Sequence, residues 1–240
     1  MTTRPSSATS LPETFGTLGV SARRLTVGTG PGGSGGDLHG VVDSPYGARL
    51  LIGHVPGKGP EPARTAEKVL RTWRRLARVQ RTLEVLAVRL HSLVAHCEED
   101  DPAVTATLVT VAPDGSAELV CCGHPPPLLI RDGSAVPAAV PAPAPPLGRL
   151  DPAHGWCGAQ QISASSWDRM LLHTDGATEI RDADGGHYPL ADRAAELSAL
   201  PLAPFTAALS ADLLHHAGGR LQDEASLVAV ESLSAHPTPI

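Results

Sequence analysis

Three aspartates stand where a chain could gather carboxylates at one point. Asp37 ends the glycine-dense run TGPGGSGGD, Asp175 breaks the run MLLHT and precedes Gly176, and Asp223 precedes the run SLVAV. Each sits at the end of a candidate strand, and turns at the ends of packed strands can deliver side chains to a common place. Carboxylates brought together repel one another and need a counter-charge. A hard divalent cation such as Mg²⁺ or Mn²⁺ supplies it through oxygen ligands. Two such ions, roughly 3.5–4 Å apart, can bind a phosphate and activate water for in-line attack. Taken singly, each acid reads as an ordinary turn residue, and Asp175 before Gly176 is a common turn pair. Spacing alone does not establish that the three meet.

The elements that would carry them follow from hydropathy. Residues 1–17 are rich in Ser, Thr and Pro and read as a flexible tail, with a second tail over 232–240. Strands are expected over 18–27, 38–43 and 48–55, the last two around a turn at Ser44-Pro45-Tyr46-Gly47. Val69, Leu70, Trp73, Leu76 and Ala77 recur at helical spacing, as do Leu83, Leu86, Leu90, Leu93 and Val94, which predicts helices over 61–79 and 81–97. Strands over 104–112 and 117–121 flank Asp114-Gly115, and another near 127–131 ends at the turn Asp132-Gly133. The run PAAVPAPAPP over 137–146 is irregular or polyproline-like. Strands at 158–163 and 169–173, helices at 190–200 and 204–217, and a strand over 226–231 complete an α+β layout with largely antiparallel sheets.

Composition bounds the answer. The 240 residues fit one domain, over 18–231. Hydrophobic residues make up 42% and aromatics only 3%, so the core is built from Ala, Val and Leu, and a stacking platform for nucleic acid is not expected. The net charge is −6, yet Arg64, Lys68, Arg71, Arg74, Arg75, Arg78 and Arg81 cluster. That cluster reads as the solvated face of an amphipathic helix rather than a contact for nucleic acid or an acidic partner. Cys97, Cys121, Cys122 and Cys157 show no CxxC pair and no zinc spacing, which suits free thiols in a reducing compartment. Adjacent Cys121 and Cys122 face opposite sides if they lie on a strand. There is no apolar signal region and no run of membrane-spanning length, so a cytoplasmic protein without a membrane partner is expected.

Five motifs in order then resemble one family. Gly35-Gly36-Asp37 is similar to a GGD opening a strand, Gly53-His54-Val55-Pro56-Gly57-Lys58-Gly59 to GD-V-x-GKG, and Gly123-His124-Pro125-Pro126-Pro127-Leu128 to GHPPPL. His173-Thr174-Asp175-Gly176-Ala177-Thr178-Glu179 resembles YTDGVTE, and Asp223-Glu224-Ala225-Ser226 the terminal DD-[IA]-[TA]. These are motifs of the metal-dependent (PPM, or PP2C-like) phosphatases, of the bacterial SpoIIE/RsbU subtype. The resemblance spans 18–231 and implies an α-β-β-α sandwich of two antiparallel sheets flanked by helices.

The resemblance also implies a chemistry. A water or hydroxide held by two Mn²⁺ or Mg²⁺ ions attacks phosphoserine or phosphothreonine on a protein, without a covalent intermediate; in this subtype the target is an anti-anti-sigma-type regulator. By the same resemblance Asp37, Asp175 and Asp223 match metal-site acids, and Val55 the residue whose carbonyl helps to hold a metal. Two positions depart from the pattern. Gly40 stands where a second acid often follows the GGD. His54 stands where the family has the aspartate that bridges the two metals. An imidazole binds one ion through one nitrogen and brings no negative charge when neutral. The expected function is therefore a protein serine/threonine phosphatase with weakened activity. The alternative is a pseudophosphatase that binds a phosphoprotein or sigma-regulatory partner without turnover. His124 reads as a structural histidine, His173 as packing near the site, Lys58 as a candidate phosphate contact outside any P-loop pattern, and His215-His216 as a helix-end pair. Regulation would come from a partner or from a homodimer formed through the 61–97 helices.

Overall fold

The computed structural model describes residues 13–26, 36–57, 59–97, 103–149, 158–221 and 223–233. Gly35, Lys58 and Cys157 of the sequence motifs lie outside these residues. In chain order the strands are β1 Glu13–Phe15, β2 Leu18–Leu25, β3 Asp37–Ser44 and β4 Gly47–His54. After helices α1 Glu61–Leu76 and α2 Leu83–Ala95 come β5 Thr105–Val111, β6 Ala117–Cys122, β7 Leu128–Arg131, β8 Ser134–Pro137, β9 Gln160–Ile162 and β10 Arg169–His173. Helices α3 Leu190–Glu196 and α4 Leu202–His216 precede β11 Ala225–Ser232. They form two antiparallel sheets, β1-β2-β11-β10-β7-β8 and β3-β4-β5-β6-β9.

The period-two direction of strand side chains stacks these sheets into four layers. On β4, Leu50 and Ile52 enter the core between the sheets while Leu51 packs under α1 and α2. On β6, Cys121 faces the inter-sheet core and Cys122 the helix side, as adjacent strand positions must. On β11, Val228 and Val230 enter the same central core while Leu227 and Ala229 meet α3 and α4. The order is α1/α2, sheet, sheet, α3/α4: the expected sandwich.

Arg49 docks the first helix pair. It is fully buried on β4, and its guanidinium donates to the carbonyls of Ala77 (3.1 Å), Gln80 (2.6 Å) and Arg81 (2.8 Å). These carbonyls follow the C-terminal end of α1, where backbone acceptors lack helical partners. The helix consequently stops at Leu76, short of the expected 79, and α2 starts at Leu83 because the Thr82 hydroxyl accepts from Val85 N–H at 3.4 Å.

Further details differ from the sequence expectation. The tail expected over 1–17 contains β1, which folds onto β2 because Gly16 takes a left-handed conformation (φ +58°). Leu233 N–H donates to Thr17 C=O at 2.8 Å, so the other end of the domain is tied there too, and Ser232 is the last residue of β11 rather than the first of a tail. Strand β8 was not anticipated. It is the return arm of a hairpin whose two turn residues, Asp132 (φ +50°) and Gly133 (φ +72°), both have positive φ.

Candidate active site

The site forms at one end of the sandwich. Register pairs Asp37, the first residue of β3, with His54, the last of β4. Asp37 is 3% exposed, and its Oδ1 accepts from His54 Nδ1 at 2.8 Å. Its Oδ2 accepts from Thr174 Oγ1 at 3.0 Å and from Ser226 Oγ at 2.8 Å. Thr174 follows β10 and Ser226 lies on β11, so one carboxylate of the first helix-bearing sheet is held by hydroxyls of the other. Thr174 and Ser226 are themselves paired: Thr174 N–H donates to Ser226 C=O at 3.1 Å, and Ser226 N–H to Thr174 Oγ1 at 2.9 Å.

Two glycines of the motifs are required by contact. A β-carbon on Gly36 would lie 1.8 Å from the Val55 carbonyl oxygen, and one on Gly176 would lie 1.8 Å from that of Glu224. Val55 N–H also donates to Gly36 C=O at 2.9 Å, which locks the strand start beside Asp37 to the segment after His54. The Val55 carbonyl thus rests against Gly36. Gly40 has a packing reason as well. A β-carbon there would lie 2.7 Å from the buried Trp73 indole, so this helix leaves no room for a second acid.

Asp175 opens a 3-10 turn, Asp175–Ala177, directly after Thr174. Burial raises its carboxyl above the ordinary range, Glu179 and Asp37 add to the rise, and His54 opposes it. Asp223 is exposed, and its Oδ1 accepts from Glu224 N–H at 2.7 Å. The His54 imidazole is raised above its ordinary value by its hydrogen bond to Asp37; burial opposes, and Asp37, Asp223 and Asp175 add attraction. All three expected acids therefore act on His54.

The donors fit a hard cation in kind: several carboxylates, one of them strained toward protonation by burial and its neighbours. They do not fit the bridged pair in arrangement. The position that the resemblance assigns to the bridge is an imidazole turned onto Asp37, and among the described residues no three His, Cys, Asp or Glu side chains are placed to hold one ion. A cation must compete with His54 for Asp37.

Behind these groups stand two neutral histidines. His124 Nε2 donates to His173 C=O at 3.0 Å, which leaves Nδ1 to accept from the Thr105 hydroxyl at 3.0 Å. Burial above all pushes His124 down to about 3 and His173 to about 4. His124 is thus a strut from β5 to the end of β10, as its structural reading required. Sequence reasoning assigned no role to Thr174, Ser226 or Thr105. Thr174 and Ser226 sit inside two of the motifs, next to the acids, and that adjacency was the available signal.

Comparison with known proteins bears on the family and the fold. The family profile described as Stage II sporulation protein E (SpoIIE) matches residues 44–232, well over half of the chain; it includes His54, Asp175 and Asp223 and begins after Asp37. The RsbU and RsbW domains of Rv1364c from Mycobacterium tuberculosis share the fold at TM-score 0.78 and 22% identity, covering 96% of this chain and 63% of that one. The PP2C phosphatase domain of SpoIIE from Bacillus subtilis, solved with a fragment of its regulatory domain, aligns at TM-score 0.74 and 14% identity, covering 89% of this chain and 63% of that one. The catalytic domain of the serine/threonine phosphatase PstP, in complex with two manganese ions, aligns at TM-score 0.65 and 16% identity over 89% of this chain and 97% of that one. The chain spans less than two thirds of the first two structures, and at these identities the likeness carries the fold. No curated protein matches it. The family profile and the two-sheet architecture agree: the chain belongs to the Stage II sporulation protein E (SpoIIE) family and has the fold of PP2C-type phosphatase domains.

Proposed function

We propose that this domain is a metal-dependent protein serine/threonine phosphatase of the cytoplasm. Its substrate would be a phosphorylated anti-anti-sigma-type regulator, and its turnover is slowed by His54. The observation that carries this reading is the convergence on His54: Asp37 bonds it, and Asp175 and Asp223 both attract it. Asp37, Asp175, Asp223 and the Val55 carbonyl would hold the ion once it had displaced His54 from Asp37 and drawn the acids together. Bound Mn²⁺ or Mg²⁺ supplies Lewis-acid polarisation of the phosphoryl oxygens and an acidified water. His54 holds a proton on Nδ1 against Asp37, and Thr174 and Ser226 keep that carboxylate aimed by occupying its other oxygen. Structures of relatives bear on the metal and the partner: RsbX was solved with magnesium, PstP with manganese, and an RsbU domain together with an RsbW domain.

One observation favours the second reading, a phosphoprotein-binding domain without turnover. Both oxygens of Asp37 are already satisfied by protein donors. Hydrolysis of an aryl phosphate and of a phosphoserine protein, with Mn²⁺ and with Mg²⁺, decides between them. The natural chain should turn over slowly and lose activity in Asp175→Ala, while His54→Asp should be faster by about tenfold or more, since it restores a carboxylate able to share two ions. An inactive natural chain with an active His54→Asp variant would establish the second reading.

A further inference from the structure

The GHPPPL motif is not consumed by the acid site. Its residues Pro125 and Pro126 instead form one wall of an open cleft of about 370 Å³. Pro137 at the end of β8 and Pro189 at the start of α3 form the other sides, with Leu128 and Leu190 as a buried floor. A wall of prolines is fixed in backbone and carries no side-chain donor, so it offers a preorganised apolar surface. The cleft also includes His173 and Thr178, which bracket Asp175 in the chain. Its one charged residue is Asp192, exposed on the first turn of α3.

We propose that this cleft docks the substrate chain. It takes an aliphatic side chain close to the phosphorylated serine or threonine, with a basic residue beside it facing Asp192. This deepens the phosphatase reading and rests on it. A phosphoryl group brought to Asp175 places the flanking residues along an extended segment at about 3.3 Å per residue. The space beyond the 173–178 segment is therefore within reach of the next few side chains. The cleft is apolar where such a side chain would enter and acidic only at its rim, so it selects Leu, Ile, Val or Met with Arg or Lys next to it. A segment with acidic flanks would meet both an apolar wall and Asp192.

Peptides carrying a non-hydrolysable phosphonate analogue of phosphoserine test this without turnover. A single Leu is scanned through the three positions on either side of the analogue in a Gly/Ser background, and binding to the natural chain is measured by calorimetry with Mn²⁺ present. One Leu position should tighten binding by about tenfold, the scale of burying one aliphatic side chain. Arg next to it should tighten it further and Glu weaken it. Ala191→Glu, in the lining of the cleft, should erase the Leu gain, and Asp192→Lys should reverse the Arg/Glu preference; melting curves verify that both variants fold. No gain from Leu at any position, no binding by any peptide, or a gain that survives a folded Ala191→Glu overturns the docking. Failure of the phosphatase reading is seen separately: Leu-selective binding with no hydrolysis in either the natural chain or His54→Asp.

Discussion

At the residue scale, the site contains two kinds of histidine with opposite pH behaviour. His124 and His173 are buried and neutral, with values of about 3 and about 4 against 6.5 in the unfolded chain. The unfolded chain therefore binds more protons between those limits, so stability falls as pH drops below about 6.5, by roughly 1 kcal/mol per pH unit for each ring. His54 is raised, so its pairing with Asp37 contributes fully below the unfolded value and is lost as pH rises through the folded one. The two windows do not overlap. Urea unfolding of the natural chain and of His124→Gln at about pH 5 and about pH 7.5 isolates one ring. The natural chain should lose more stability on acidification than the variant, by roughly 1–2 kcal/mol. Equal losses would mean that His124 does not stay neutral in the fold.

At the element scale, the acid turn is seated by a close backbone approach. Gly176 lies against the Glu224 carbonyl at the head of β11, and the Ser226 and Thr174 bonds lie just beyond. A methyl group at 176 must push these segments apart, so Gly176→Ala should cost about 2–3 kcal/mol in urea unfolding and reduce phosphatase activity with it. Gly185→Ala is the control. Unlike Gly176 it sits at positive φ (+85°), yet a β-carbon there meets nothing within 4 Å, and it should cost about 1 kcal/mol or less. Equal costs would remove the contact argument. This contact also shows what the sequence could reveal. The acids and their glycines were legible because they recur as motifs. The strands were legible as apolar runs, but their facing was not: β5, β6, β10 and β11 are buried on both sides, so no polar alternation marks the inner face. The partners of Asp37 were hidden for a related reason. Thr174 and Ser226 are single hydroxyls in apolar stretches, and only the packing of one sheet on the other brings them to β3. Trp73 reads as a core residue from its spacing, yet that it leaves no room for an acid at Gly40 depends on how α1 crosses β3.

At the scale of the whole molecule, His54 changes how the two sheets are held together. Asp37 joins them through Thr174 and Ser226, and His54 completes its hydrogen bonding with a donor that can carry a positive charge. Both oxygens of Asp37 are thereby met by protein donors, whereas the family pattern brings a further carboxylate to the same place. His54→Asp should reverse this dependence. Without divalent metal the variant removes a donor from the buried Asp37 and adds an acid beside Asp37, Asp175 and Asp223, for a loss of about 2–4 kcal/mol. With Mn²⁺ at roughly a hundred times its dissociation constant, binding returns about 2.7 kcal/mol to whichever chain binds it. The natural chain, whose ion must displace His54 from Asp37, should gain little. Melting curves in chelator and in Mn²⁺ should therefore converge: the natural chain more stable in chelator, the variant gaining far more from Mn²⁺. Parallel shifts in the two chains would show that His54 does not stand in the ion's place. An unchanged melting temperature of the variant in chelator would show that the His54–Asp37 pair does not help to hold the sheets together.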